Sequence, residues 1–233
     1  GKPVQGNTVE GCRTGILVQQ FSSPEISENT LVKNKDGIVC YMGARPVIRN
    51  NAIRDNETGI ACNQIAAPPI EANAIERNRR GIFLTLSSYA VVRGNNIDGN
   101  DIQMELGNMS RDWERRAGTK PQRGRQQQAA IRAGKGTVAP QAPAGDDGVD
   151  VNGGAVEAAG NWWGDAATRE MEEKGPDADI GGLRDWHDVP TLTYEGFEGE
   201  YVQDRIDYAP WLKERIATAG PPAAAASGGK ELP

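Results

Sequence analysis

Apolar residues return at a fixed spacing of 22 residues along the first half of the chain. The segment "NTLVKNKDGIVC" at 29–40 is followed by "NAIRDNETGIAC" at 51–62, and further copies of the phrase begin at positions 7, 73 and 95. A period of this size indicates units that cannot bury their apolar side alone and must stack on their neighbours. The pattern therefore predicts five stacked coils.

Four columns of apolar residues run through the five periods. Their members are Val4, Ile26, Ile48, Ile70 and Val92; Val9, Leu31, Ile53, Ile75 and Ile97; Ile16, Ile38, Ile60, Ile82 and Met104; and Val18, Cys40, Cys62, Leu84 and Leu106. The stretches that carry them are β-branched and lack the apolar spacing of a helix, so they predict strands of roughly three to five residues. Equivalent strands of successive coils should pair in parallel, about 4.8 Å apart.

Glycine and proline recur at the ends of these strands. Glycine stands at positions 15, 37, 59 and 81, and proline at 24, 46 and 68. Glycine reaches positive φ, and proline fixes φ and lacks a backbone donor, so both residues suit corners. Each period is therefore predicted to be one coil of a parallel β-helix.

Asparagine forms two further columns. One contains Asn7, Asn29, Asn51, Asn73 and Asn95, and the other contains Asn34, Asn56, Asn78 and Asn100. A stacked amide can donate a hydrogen bond to one neighbouring coil and accept one from the other, which satisfies polar groups that the coil would otherwise bury. We interpret both columns as structural.

The phrase N-x-I-x-x-N-x-x-G-I, most complete in "NAIRDNETGI" and "NAIERNRRGI", resembles the right-handed parallel β-helix repeat proteins. Within them it is similar to the group of carbohydrate-binding and sugar-hydrolase-like repeats that includes the periplasmic NosD-type proteins. "GNWWGD" at 160–165 and "DYAPWL" at 207–212 look like the usual close of such domains. The resemblance covers about 1–107 and 148–212. It implies an all-β, right-handed parallel β-helix and a periplasmic or extracellular location, whereas activities in the family are mixed.

Charge and composition divide the chain into four predicted segments. They are the β-helix coils at 1–107, a basic flexible insertion at 108–147, a closing coil with an acidic C-terminal extension at 148–214, and a low-complexity tail at 215–233. Nucleic-acid binding is not favoured, because the insertion lacks interleaved aromatic residues and the pI is about 5.0. No apolar run approaches the length of a membrane helix.

Two features of the coils concern contacts that the sequence alone leaves open. Cys40 and Cys62 occupy the same inward column in adjacent coils, so we expect buried thiols, with a disulfide between them as the alternative. The first coil should expose its strand edges and part of the core, so we expect upstream sequence or a partner to cover it.

Candidate catalytic groups are few. Asp55 and Glu57, with Arg79 and Arg54 nearby, are the closest approach to the paired carboxylates of a glycan-cleaving enzyme. The other outward charges alternate in sign, which is typical of a salt-bridged surface. His187 is the only histidine and is expected to be an exposed loop residue. No metal and no cofactor is predicted.

Two sets of apolar residues bear on binding. Trp162 and Trp163 could either cap the core or stack on sugar rings. A second set lies between inward columns and should point outward as a stripe that water disfavours; its members are Leu17, Val39, Ala61 and Phe83. Either the acidic C-terminal segment or another protein should cover this stripe.

Three functions remain open from the sequence. The leading hypothesis is a non-enzymatic scaffold or accessory subunit of a larger exported complex, with other protein subunits as partners. The second is a carbohydrate-binding module, which requires Trp162 or Trp163 to be exposed beside polar groups. The third is a polysaccharide lyase, hydrolase or epimerase, which requires Asp55, Glu57 and Arg79 to converge around a metal or a sugar.

Overall fold

The computed structural model describes residues 3–116 and 154–222 of the 233-residue chain. Its first part is a stack of five coils with three strands each. The coils contain, in order, β1 (Val4–Gln5), β2 (Thr8–Glu10) and β3 (Thr14–Gln19); β4 (Glu25–Ser27), β5 (Thr30–Val32) and β6 (Asp36–Tyr41); β7 (Val47–Arg49), β8 (Ala52–Arg54) and β9 (Thr58–Asn63); β10 (Pro69–Glu71), β11 (Ala74–Glu76) and β12 (Arg80–Leu84); β13 (Val91–Arg93), β14 (Asn96–Asp98) and β15 (Ile102–Leu106).

Equivalent strands of successive coils form three parallel sheets. The first sheet contains β1, β4, β7, β10 and β13, the second contains β2, β5, β8, β11 and β14, and the third contains β3, β6, β9, β12 and β15. The register follows the 22-residue period, so that Ile26 lies opposite Ile48 and Cys40 opposite Cys62. The predicted parallel β-helix is confirmed, with strands of two to six residues.

The core lies inside the three sheets. From the second coil onward, the residues of all four apolar columns are buried. Val4, Val9 and Ile16 of the first coil are only partly buried, because no described strand pairs with the outer edges of β1, β2 and β3. Cys40 and Cys62 are free, fully buried thiols, as expected, and the alternative of a disulfide between them is wrong.

Both asparagine columns form continuous hydrogen-bonded ladders. The Oδ1 atom of Asn73 accepts bonds from the backbone N–H and the Nδ2 atom of Asn51, each at 2.9 Å. The Nδ2 atom of Asn73 in turn donates to Asn95 Oδ1 at 3.0 Å and to the backbone carbonyl oxygen of Ile48 at 2.9 Å. Since these side chains are buried, each amide satisfies groups that would otherwise lack a partner.

The recurrent glycines have a different role from the one predicted. Gly15, Gly37, Gly59 and Gly81 do not adopt positive φ, so that part of the prediction is wrong. The positive-φ corners include Asn50, Asp55, Ala72 and Arg77 instead. A Cβ atom on Gly59 would lie 2.6 Å from the carbonyl oxygen of Gly81 in the next coil. Glycine is therefore required by the close approach of neighbouring coils.

The elements after the coils close the stack. They are α1 (Arg111–Arg116), β16 (Ala155–Glu157), α2 (Gly164–Lys174), β17 (Leu183–Arg184), β18 (Thr191–Leu192), β19 (Tyr201–Val202) and β20 (Arg205–Asp207). β17 adds a parallel strand to β15 of the third sheet, β16 pairs in parallel with β20, and β18 pairs antiparallel with β19. No helix of the described residues is long and apolar enough to cross a membrane.

The two asparagine ladders end in different ways. The first continues into the closing segment, where Asn161 Oδ1 accepts bonds from the backbone N–H and the Nδ2 atom of Asn95 at 2.9 Å. The second ends at Gln103, whose Oε1 atom accepts the Nδ2 hydrogen of Asn100 at 2.7 Å. Gln103 occupies the position at which the earlier coils have Gly15, Gly37, Gly59 and Gly81. Those glycines lie in close contact with the next coil, so the side chain of Gln103 leaves no room for a further coil of the same shape.

The packed structure extends beyond two predicted segment boundaries. Trp113 in α1 stacks on Tyr194, with ring centroids 4.3 Å apart, although 108–116 was assigned to the flexible insertion. At the other end, the backbone N–H of Gly220 donates to the carbonyl oxygen of Ala72 at 2.8 Å, although this residue was assigned to the tail. The rest of the predicted insertion and tail, at 117–147 and 223–233, lies outside the described residues.

Substitution of Asn73 by alanine should lower the free energy of unfolding by about 3 kcal/mol, because it leaves buried donors and acceptors without partners. Asn7→Ala is the matched control at the exposed end of the same ladder, and it should cost less than about 1 kcal/mol. Urea unfolding of both variants checks this. Equal losses would contradict the structural role of the ladder.

Gly59→Ala should destabilise the protein by about 2 kcal/mol or more, because the added methyl group meets a backbone oxygen that cannot move away alone. Gly181→Ala serves as the control: Gly181 does not adopt positive φ, and only the end of the Glu170 side chain lies near the added atom. Thermal unfolding of the two variants distinguishes them, and a neutral Gly59→Ala would refute the close-approach explanation.

Candidate interaction surface

The outer face of the third sheet carries the predicted apolar stripe, Leu17, Val39, Ala61 and Phe83. These residues lie directly opposite one another in successive strands. They point outward because strand residues alternate, and their neighbours in the chain belong to the buried columns. Leu17 is 56% exposed and the other three are partly exposed. The structure therefore brings the four predicted residues together on one face.

The stripe is closed at one end by charged residues. Glu105 follows Phe83 in the same row, and Arg184 follows Glu105. The guanidinium group of Arg80 lies 4.3 Å from the centre of the Phe83 ring and forms an ion pair with Glu105 at 3.3 Å. The freely exposed apolar surface is consequently concentrated at the Leu17 end.

Further apolar side chains lie at the turn after the third sheet, beyond the row that contains Gln19, Tyr41 and Asn63. Met42 and Leu86 are exposed there, and the Phe21 ring packs so closely over Gly43 that a Cβ atom on that glycine would lie 2.4 Å from it. The sequence interpretation missed these residues. The available signal was the recurrence of Met42 and Leu86 in one column of the repeat, where they alternate with glutamine.

The first described residues of the predicted tail, from Arg215 onward, lie over the second sheet. Arg215 pairs with Glu76 there. The side-chain amide of Asn96 forms two hydrogen bonds of 2.8 Å with the backbone N–H and carbonyl group of Ile216. This described part of the predicted tail therefore occupies a face other than that of the apolar stripe.

The candidate catalytic residues are divided between separate ion pairs. Asp55 accepts hydrogen bonds from Arg54 and Arg77, both at 3.0 Å, while Glu57 accepts one from Arg79 at 3.2 Å. The hydrogen bond from Arg77 holds the pKa of Asp55 below its usual range. A general acid needs a raised pKa, whereas the arginines beside Asp55 favour its ionised form.

Trp162 and Trp163 are part of the close of the stack. Trp162 is 5% exposed and Trp163 is fully buried. The backbone carbonyl oxygen of Trp162 accepts the N–H of Ile97 at 2.8 Å, and the Arg215 guanidinium group lies 5.5 Å from the centre of its ring. Neither indole presents an open face on which a sugar ring could stack.

His187 lies in a turn of the closing segment, as expected, but its side chain is partly buried rather than freely exposed. Its Nδ1 atom lies 2.9 Å from a carboxylate oxygen of Asp185, and its Nε2 atom lies 3.1 Å from the backbone carbonyl oxygen of Asp177. Among the described residues, no three or more His, Cys, Asp or Glu side chains are grouped so as to hold a metal ion.

Asp204 joins three distant parts of the chain in a way that the sequence did not predict. It accepts hydrogen bonds from the Tyr89 hydroxyl at 2.7 Å and from the backbone N–H groups of Arg111 and Gly154 at 2.8 and 3.0 Å. Burial raises the pKa of Asp204, although its hydrogen bonds oppose this effect. The carboxylate holds the coils, α1 and the extension together.

Trp163 and Leu17 differ in burial, so shortening their side chains should lower the free energy of unfolding by different amounts. Trp163→Ala should lower the free energy of unfolding by about 3–5 kcal/mol, because it removes a fully buried indole. Leu17→Ala, on the exposed stripe, should change it by less than about 1 kcal/mol. Urea unfolding of the two variants tests the assignment, and a stable Trp163→Ala variant would contradict a capping role.

Comparison with known proteins agrees with this architecture. Residues 1–113 match the family described as NosD, periplasmic copper-binding protein. No curated protein matches the sequence significantly, and neither does any solved structure. The matched residues are those of the five coils and the first half of α1. The coils of this chain are thus a NosD-type parallel β-helix repeat.

Proposed function

We propose that this chain is a non-enzymatic scaffold or accessory subunit, located in the periplasm or outside the cell, that binds another protein through the apolar stripe. The observation that carries the proposal is the alignment of Leu17, Val39, Ala61 and Phe83, exposed or partly exposed, in one continuous row on the outer face of the third sheet. The periplasmic part rests on the family of the coils.

The surroundings of the stripe favour binding over simple solvent exposure. Other outward rows satisfy their charges internally, as in the ion pairs Lys33–Glu10, Arg77–Asp55 and Arg79–Glu57. At its Leu17 end the stripe presents only apolar side chains, and burying such surface contributes about 25 cal/mol per Å². A partner that covered this end would gain this energy without removing a charge from water, whereas Arg80 and Glu105 adjoin the Phe83 end.

The shape of the face suits a stable contact. Four side chains in register on adjacent strands, about 4.8 Å apart, span about 15 Å. Polar rows flank them, with Thr14 and Asp36 on one side and Gln19, Tyr41 and Asn63 on the other. An apolar centre with a polar rim is the usual anatomy of a protein interface. Because the side chains stand on a hydrogen-bonded sheet, binding would cost little ordering of this surface.

The alternative functions receive less support from the same residues. Carbohydrate stacking would use Trp162 or Trp163, which are buried. Glycan cleavage would use Asp55 with Glu57, whose carboxylates are bound by different arginines. Copper binding, named in the family description, is not part of the proposed function.

Native mass spectrometry of the protein purified from its own organism tests the scaffold function. The wild-type chain should carry a stoichiometric protein companion, identified from its peptides. The double substitution Leu17→Asp and Val39→Asp should release that companion, because it places two charges in the apolar centre. Val47→Asp is the matched control: Val47 is likewise a partly buried, outward-facing valine, but it lies on the first sheet.

The outcomes separate the hypotheses. A companion that is lost with the stripe variant and kept with Val47→Asp supports docking through the third sheet. A wild-type chain that is monomeric, or a companion that both variants retain, overturns this proposal. Circular dichroism and thermal unfolding of both variants show whether each remains folded.

A further inference from the structure

We infer that this chain does not itself ligate copper, although the family that matches its coils is described as copper-binding. Copper sites in proteins draw mainly on imidazole, thiolate and thioether ligands. The complete sequence contains one histidine, three cysteines and four methionines. Every such donor lies within the described residues, so the position of each can be assessed.

The histidine is turned toward internal oxygen atoms. The bond between Nδ1 of His187 and the Asp185 carboxylate is the arrangement that commonly orients a metal-bound histidine, and in such sites the other ring nitrogen binds the metal. Here that nitrogen, Nε2, faces the carbonyl oxygen of Asp177 at 3.1 Å. Both ring nitrogens thus face oxygen atoms of the closing segment, and the ring links two parts of that segment.

Cys40 and Cys62 are adjacent sulfur donors, but their surroundings oppose a metal complex. Both are fully buried, between Val18 and Leu84 in the same column. A Cu(I) ion held by two thiolates carries a net negative charge, and burial of an uncompensated charge in an apolar core is costly. The hydrogen bond with Cys40 and burial both raise the pKa of the Cys62 thiol, which disfavours the thiolate. These cysteines serve as small apolar residues.

The remaining sulfur atoms are either buried or far apart. Met104, Met109 and Met171 belong to the core cluster. Cys12 and Met42 are exposed, but Cys12 precedes the third sheet and Met42 follows it. A strand of six residues, about 20 Å long, separates these two positions along the coil. They cannot bind the same ion.

This inference goes beyond the proposed function and is independent of it. A scaffold without copper of its own would serve a copper-handling assembly only through the proteins that it binds. A scaffold with copper would be a carrier.

Copper titration of the reduced, full-length chain tests the inference. Cu(I) is offered under anaerobic conditions in competition with a chromophoric chelator, and Cu(II) is offered separately, followed by desalting and elemental analysis. The wild-type chain should retain no stoichiometric copper in either case. Stoichiometric copper in the folded wild-type chain would overturn the inference.

Two variants serve as controls for the copper titration. The double variant Arg13→His and Lys35→His places two imidazoles on adjacent rungs of an exposed row, and it should gain Cu(II). It shows that the assay detects a site on this solenoid. If the wild-type chain does retain copper, loss of that copper in Cys40→Ser would locate it in the core.

The thermal unfolding temperature supplies a second measurement, which does not depend on whether copper stays bound during desalting. A ligand that binds the native state raises this temperature, whereas one that binds only the unfolded chain lowers it. Copper should leave it unchanged or lower it, because the thiols of Cys40 and Cys62 become available only on unfolding. A copper-induced rise would contradict the inference.

Discussion

The hydrogen bonds between stacked asparagine side chains constrain everything else in this molecule. Each buried amide must receive bonds from one coil and donate to the next, which is possible only when successive coils are aligned residue for residue. This alignment places the apolar columns inside. It also places the outward residues of successive coils in straight rows, so a row of apolar residues becomes a continuous stripe. The proposed binding surface is thus a consequence of the register.

The same constraint explains how the stack ends. The close approach of coils at Gly15, Gly37, Gly59 and Gly81 leaves no room for a side chain. Gln103 at the equivalent position ends the regular stacking and satisfies the last amide of the second ladder. The first ladder meets Asn161, which lies far along the chain. The closing segment can therefore follow a long intervening sequence and still complete the core.

The sequence predicted the features that arise from one repeated unit. The apolar columns, the asparagine ladders and the outward stripe all follow from residue type and a spacing of 22, because every coil supplies the same information. The alternating charges likewise predicted a salt-bridged surface, to which the ion pair of Glu57 with Arg79 belongs. Contacts between different parts of the chain carry no such periodic signal.

The features that the sequence left open depend on contacts between non-repeated segments. The burial of Trp162 and Trp163, the contacts of His187 and the three-way contact of Asp204 each require the closing segment to be packed. The glycine column was recognised for a plausible but wrong reason, because close approach involves the neighbouring coil and is invisible in the φ preference of one residue. The fold and the candidate surface can therefore be predicted from the sequence. Side-chain positions are needed to assess the candidate catalytic and sugar-binding residues.

Hydrogen exchange of the asparagine side-chain amides, followed by nuclear magnetic resonance, is the most direct measurement of the central claim. The account predicts that the Nδ2 hydrogens of Asn29, Asn51, Asn73 and Asn95 exchange far more slowly than those of exposed asparagines, because they are buried and bonded between coils. Rapid exchange of these four amides in the folded protein would contradict it. The ladders would then not hold the coils in register, and the alignment of the stripe would need another cause.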